Sequence, residues 1–277
     1  MKLRLGVRGM MWLTLVIMMW GIISCRTQEE KCLEEVLSLP LANKEELQKV
    51  LDYYKDDSLK YQAVCFLIRN MPFHAGYEGN ALKHYYQYFD IYAQGKLGPH
   101  EVIDSLKENS FSVSQLKRIE DIANIDSSLL VQNVDWAFKV WREQPWGKNV
   151  SFDNFCEFVL PYRLGDEPLG FWREDIYKRY NPILDSIRLL PQAQDPLVAA
   201  KVLMDSLVVE QSHFTGLFPA GPHLGPSVVS WRAGSCREFA DLVVYVMRAL
   251  GIPCGTDYMA MRGDNNCLLY TSPSPRD

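Results

Sequence analysis

Histidine is scarce in this chain. Only five occur in 277 residues, at 74, 84, 100, 213 and 223. The seven cysteines (25, 32, 65, 156, 236, 254, 267) form no Cys-x-x-Cys pair and no Cys/His cluster. A zinc site is therefore not signalled, and no metal or organic cofactor is expected. The cysteines also lack the tight spacing of a disulfide framework, which leaves room for a free, reactive thiol. Positive charge is in short supply: 29 Lys and Arg face 34 Asp and Glu, for a net charge of -5. The basic residues are scattered after residue 30, with no basic stripe and no interleaved aromatics. Nucleic acid is excluded as the expected partner on that ground. No repeat of fixed period and no low-complexity stretch is present. What remains is ordinary globular material, 48% hydrophobic and 23% charged, with 14 Tyr, 12 Phe and 7 Trp to fill helical cores.

The N-terminus holds the one long apolar run. Lys2, Arg4 and Arg8 precede 14 apolar or small residues from Met10 to Ile23. A membrane span needs about 20 residues. A basic flank, a short apolar core and the small Ser24 describe a secretory signal peptide over 1–24. Ile22-Ile23-Ser24-Cys25 resembles a lipobox, the sequence at which bacterial lipoproteins are cleaved and lipidated. The resemblance implies lipidation of Cys25 and membrane attachment by an N-terminal lipid anchor. The alternative is an uncleaved anchor with an incidental cysteine. Either reading places the body of the protein outside the cytoplasm, in the cell envelope, facing the periplasm or on the surface.

Residues 25–160 read as a helical domain. Asn43 and Glu46 have capping-box spacing, and Leu47, Val50, Leu51 and Tyr54 follow at helical steps. Tyr61, Val64, Cys65 and Ile68 give another stripe, and Leu130, Val134, Phe138 and Trp141 a third. Helices are also expected near 81–94, 100–108, 113–123 and 127–143. All of these stripes are expected to pack in cores. The stretch after Phe152 mixes an apolar helix with a loop rich in Gly, Pro and charge. Arg163, Asp166, Glu167, Trp172 and Arg173 crowd it, as a groove lining or as a solvated connector with a local ion pair. Helices follow at 181–190 and 195–209, the second with Pro196 at its first position. Residues 213–230 are expected to form a long irregular loop.

The sharpest feature comes next. In Gly234-Ser235-Cys236-Arg237-Glu238, Ser235 and Glu238 have the spacing of a capping box. Cys236 is thus expected to open a helix. Phe239, Leu242, Val243, Val246, Met247 and Leu250 mark its apolar stripe, with Cys236 on the same inward face. Gly251 and Pro253 stop it. A helix N-terminus carries partial positive charge and free N–H groups. Both stabilise a thiolate, the nucleophilic form of cysteine, and the N–H groups suit an oxyanion. The alternative is a small buried core cysteine. A Cys236–Cys254 disulfide is not expected. The helix runs for about 20 Å, and the residues after it return at most about 17 Å.

GSCREFADLVVYVMRALGIPC resembles the nucleophile segment of the transglutaminase-like superfamily. There a Gly-x-Cys turn opens a buried helix that ends in an Arg-Ala-Leu-Gly-Ile-Pro phrase. Here those elements are Gly234, Cys236 and Arg248 to Pro253, and the resemblance covers about residues 225–266. It implies Cys236 as nucleophile and allows Trp231, by position, as an oxyanion donor. The family pattern also needs a His and then an Asp on later strands, and none of the five His follows Cys236. His213 and His223 sit in the loop before it. Residues 256–262 read as a strand and 263–266 as a turn. The chain then ends in CLLYTSPSPRD, which resembles a translated sequencing adapter, so 267–277 is expected to be a non-native tail.

The expected fold is mainly α. An N-terminal helical domain over 25–160 is followed by the incomplete first half of an α+β transglutaminase-like (papain-like cysteine) domain over 161–266. The expected function is Cys-dependent peptide or amide hydrolysis or acyl transfer by the intact parent, with a protein or peptide substrate. The fragment itself is expected to be inactive for lack of the His and Asp. The alternative is a non-catalytic binding or scaffold lipoprotein of the cell envelope.

Overall fold

The structure, a computed structural model, describes residues 28–108, 112–209, 213–214 and 221–256. The expected signal peptide, Cys25, the non-native tail and all of the expected 256–262 strand except Thr256 lie outside the described residues.

The described chain is mainly α. A first helix, α1, covers residues 28–37. It is followed by α2 (Lys44–Tyr53), α3 (Ser58–Asn70), β1 (Ala75–Glu78), α4 (Asn80–Ala93) and α5 (Pro99–Glu108). Then come β2 (Lys117–Glu120), α6 (Asp121–Asn124), α7 (Ser127–Glu143), α8 (Phe152–Phe158), α9 (Arg173–Tyr180) and α10 (Pro196–Val209). The last group is β3 (His213–Phe214), α11 (Val228–Trp231), β4 (Ala233–Gly234) and α12 (Cys236–Ala249). β1 and β2 pair antiparallel, with Ala75 opposite Glu120 and Glu78 opposite Lys117. β3 and β4 form a short parallel pair, with Phe214 opposite Gly234.

Two apolar cores account for the packing. In the first, Leu47, Val50 and Leu51 of α2 meet Val64 and Ile68 of α3 and Leu130, Val134 and Phe138 of α7. The α2 stripe thus buries as its spacing predicts, and so does that of α7 except for Trp141, which is half-buried. On α3 the buried face is rotated: Ala63, Val64, Leu67 and Ile68 point inward, while Tyr61 is exposed and Cys65 half-buried. The second core surrounds α12. Tyr85 and Phe89 of α4, Leu203 of α10 and Val228 of α11 pack there with Leu242 and Val246. α4 and α5 therefore belong to the second core, although they precede residue 160, and the two cores do not divide where the sequence texture changes. Trp146 is fully buried in the second core, and its indole N–H donates to the Leu250 carbonyl at 2.8 Å. Truncating such a side chain costs about 3–5 kcal/mol.

Three local expectations are corrected. The 113–123 stretch is a 3₁₀ turn, strand β2 and the short α6 rather than one helix. Lys-Arg-Ile-Glu extends there because β1 supplies its ladder partner. The 181–190 stretch holds a 3₁₀ turn over Asn181–Leu184 and further turns, with Pro182 near its start. Proline removes a backbone donor and disfavours helix at the preceding residue. Asn43 is the N-cap of α2 but makes no side-chain cap bond. Its own N–H donates to the Ile122 carbonyl at 2.8 Å, and Glu46 instead accepts from the Ser127 N–H and hydroxyl at 2.8 and 2.7 Å.

Candidate functional site

The site is built on the start of α12. Ser235 is the N-cap, with extended backbone, and its hydroxyl oxygen accepts the Arg237 N–H at 3.3 Å. The Glu238 carboxylate folds back to accept the Ser235 N–H at 2.7 Å and its hydroxyl at 2.5 Å. Gly234 makes this return possible. It has φ +136°, and a Cβ there would lie 2.4 Å from the Glu238 side chain. Arg237 then ties the helix start to the preceding segment. Its guanidinium donates to the carbonyls of Gly221 (2.7 Å) and Pro222 (3.3 Å) and pairs with Glu238 at 2.6 Å. Burial pushes the Glu238 carboxyl up, but Arg237 and the Ser235 donors outweigh it and hold it below its ordinary value.

Cys236 is the first residue of α12, as its spacing predicts. It is exposed, however, and not on an inward face. α12 is buried on nearly every side from Glu238 onward. Phe239 and Val243 of the apolar stripe are only half-buried, but Ala240 and Met247, at most about 40° from Cys236 around the helix, are buried. Cys236 is thus exposed by its place at the end of the helix rather than by an uncovered face. The thiol is free and makes no hydrogen bond to the described residues. Two first-turn donors, the Ser235 and Arg237 N–H groups, are taken up by the capping box. The Cys236 N–H stands outside that box.

Trp231 ends α11, where Arg232 takes the left-handed conformation. Its half-buried ring packs on Tyr86 at 5.4 Å and on Phe89 at 6.0 Å. The backbone of His213 pairs with Ala233 in the β3–β4 ladder, and its side chain lies outside the described residues. His223 turns to Asp241, with Nδ1 2.8 Å from Oδ2. His84 and His100 are exposed. Residues 225–231, expected as part of an irregular loop, form a 3₁₀ turn and α11. Cys254 is buried and free, as is Cys156.

The loop after α8 is neither solvated nor a simple connector. Arg163, Glu167 and Arg173 are all buried. Nη2 of Arg163 donates to Asp121 at 2.7 Å, and its Nε lies 2.6 Å from the other Asp121 oxygen without the alignment of a hydrogen bond. Nη1 donates to the carbonyls of Ala75, Gly165 and Glu167 at 2.9, 3.0 and 2.9 Å. Glu167 accepts the Leu164 and Gly165 N–H groups and the Tyr245 hydroxyl, each within 2.8 Å. Arg173 bonds the Asn133 side chain at 2.6 Å and the Val159 carbonyl at 2.6 Å. These buried polar contacts join the two cores behind α12.

Sequence reading missed the inward polar face of α12. Glu238, Asp241, Tyr245 and Arg248 follow one another at steps of three, four and three, and all are buried. That spacing is the one signal that marked them. Among the described residues no group of His, Cys, Asp or Glu is arranged to hold a metal. No described helix is long and apolar enough to cross a membrane.

Comparison with protein-family models, curated proteins and solved structures finds no match.

Proposed function

We propose that the intact protein is an extracytoplasmic lipoprotein, anchored through Cys25, whose transglutaminase-like domain carries out Cys236-dependent acyl transfer on a protein or peptide. In this reading α12 and the segments around it are the first half of an α+β domain. The observation that carries the proposal is an exposed thiol at the first position of a capped helix. The thiolate attacks an amide carbonyl, the C–N bond breaks, and the amine leaves with a proton as the thioester forms. Water or a second amine then attacks the thioester and returns the thiol. Helix-start N–H groups suit the oxyanion of each tetrahedral intermediate.

The leaving amine needs a proton donor. No described residue hydrogen-bonds the Cys236 thiol, and His223 is engaged with Asp241. Negligible turnover is therefore expected of the 277-residue chain. This absence of a paired base among the described residues also favours the second reading, a non-catalytic binding or scaffold lipoprotein.

Iodoacetamide separates the two. In the acyl-transfer reading, folded protein alkylates at Cys236 faster than free cysteine at neutral pH. Alkylation of Cys236 slower than free cysteine would leave the binding reading in its place.

A further inference from the structure

A cavity of about 250 Å³ opens against α12, lined by Leu164, His223, Asp241, Arg248, Glu157 and Phe158. Gly255 and Thr256 complete the wall. Cys236 does not line it. At 3.6 residues per turn, Asp241 and Arg248 lie about 140° and 120° around the helix from Cys236. The cavity is thus a place separate from the thiol, and neither reading of Cys236 uses it.

Its chemistry is specific. Arg248 is 8% exposed, with Nε donating to the Cys254 carbonyl at 3.3 Å and Nη1 to the Arg163 carbonyl at 3.1 Å. Those two carbonyls fix the guanidinium plane. Nη2 has no partner among the described residues, and no described carboxylate forms an ion pair with Arg248. A buried cation with a free donor edge on a cavity calls for an anionic oxygen. His223 stands beside it. Its Nδ1 is held by Asp241 at 2.8 Å, and its backbone N–H donates to Asp166 at 2.7 Å. Its ring lies over Gly165, where a Cβ would meet it at 2.4 Å. The ring is thus held between Asp241 and Gly165, and Nε2 has no partner among the described residues. Burial alone would favour the neutral ring, but the Asp241 carboxylate outweighs it and favours the imidazolium, whose Nε2–H is a second donor.

The lining also carries the other sign, and the Glu157 carboxylate acts on Arg248 through its charge. Glu157 is exposed and makes no ion pair with a described residue. A carboxylate there repels a plain anion and suits an ammonium group. Phe158, 39% exposed, and Leu164 add apolar surface to the lining. A cavity of about 150 Å³ takes a benzene-sized molecule, so about 250 Å³ suits one small molecule of amino-acid size.

We propose that this cavity binds a zwitterion of amino-acid size, its carboxylate on Arg248 and His223 and its ammonium on Glu157. The test is calorimetric titration of the full chain with L-leucine, L-leucinamide and N-acetyl-L-leucine. L-leucine should bind once per chain. Leucinamide lacks the carboxylate and acetyl-leucine the ammonium, so each should bind about tenfold or more weakly, as for a lost charge-assisted hydrogen bond. Arg248→Gln should abolish binding, but it also loosens two carbonyls and threatens folding. Glu157→Gln avoids that problem because the side chain is exposed and unpaired. It should weaken L-leucine and leave acetyl-leucine unchanged. The proposal is overturned if L-leucine gives no saturable heat, if leucinamide binds as well, if inorganic phosphate binds more tightly, or if Glu157→Gln leaves the L-leucine affinity unchanged.

Discussion

Nδ1 of His223 lies 2.8 Å from Oδ2 of Asp241, a carboxylate almost wholly removed from solvent on the inward side of α12. This pair fastens the segment before the Cys236 turn to the helix itself, and Arg237 fastens the same segment through the Gly221 and Pro222 carbonyls. The position of Cys236 therefore depends on a titratable contact.

The pH dependence follows from the direction of the shift. Burial lowers the imidazole value, but the hydrogen bond and charge of Asp241 raise it overall above the ordinary 6.5, against Arg237 and with a small contribution from Glu167. The folded state thus holds its proton more tightly than the unfolded chain. The resulting stability is fully present below pH 6.5 and is lost as pH rises through the higher folded value. In His223→Asn this loss should vanish. Melting temperatures of both proteins, taken across the neutral range, check it: their difference should shrink steadily above pH 6.5. A constant difference would show that the pair does not titrate as described.

Gly165 offers an independent way to break the same contact. A Cβ at this position would sit 2.4 Å from Cδ2 and 2.6 Å from Nε2 of the His223 ring. Gly165→Ala must push the ring away, and overpacking of this kind costs about 1–3 kcal/mol. The variant should also lose the pH-dependent part of stability, as His223→Asn does. A melt that falls but keeps the full pH dependence would mean that the ring moves together with Asp241.

The Arg163–Asp121 pair should behave as one unit. Both side chains are at least 95% buried, and the guanidinium also serves three backbone carbonyls. Removing one partner of a buried pair leaves an uncompensated charge and costs about 3–5 kcal/mol. Arg163→Met and Asp121→Leu should each fall in that range by urea unfolding. The double variant should cost less than their sum, with a coupling of about 0.5–3 kcal/mol. Strict additivity would show that the charges do not stabilise each other.

Much of this was legible in the sequence wherever the cause is local. The stripe at Leu47, Val50 and Leu51 and that at Leu130, Val134 and Phe138 follow helical spacing, and both bury. Ser235 and Glu238 announce the start of α12 because a capping box is made by neighbours. What was not legible depends on distant partners. Lys117–Glu120 extends because Ala75–Glu78 lies beside it. Arg163 is buried because Asp121, 42 residues earlier, neutralises it. A run of charge and glycine such as 163–167 reads as solvated until that partner is known. The exposure of Cys236 was misread for a related reason. Its apolar stripe is real, but the first turn of α12 extends beyond the groups that cover the stripe.

Cysteine labelling tests the whole arrangement of α12 and the first core at once. Among the described residues Cys32 and Cys236 are exposed, Cys65 is half-buried, and Cys156 and Cys254 are buried. Burial pushes the Cys156 thiol up to about 12, with Asp153 adding to it. Burial also pushes the Cys254 thiol up to about 11, against the nearby Arg248. Both groups are therefore inaccessible and protonated at neutral pH, and alkylation needs the thiolate. Brief iodoacetamide treatment of native protein, followed by peptide mass spectrometry, should modify Cys32 and Cys236. Cys65 should follow slowly, and Cys156 and Cys254 only after denaturation. Gly234→Ala should change this pattern at one place. Its Cβ would collide with Glu238, which must release Ser235, and losing such a cap costs about 0.5–2 kcal/mol. The first turn that presents Cys236 then rearranges, so its labelling should slow while Cys32 keeps its rate. Equal slowing at both positions would point to a general change in the protein rather than to the turn that holds the thiol.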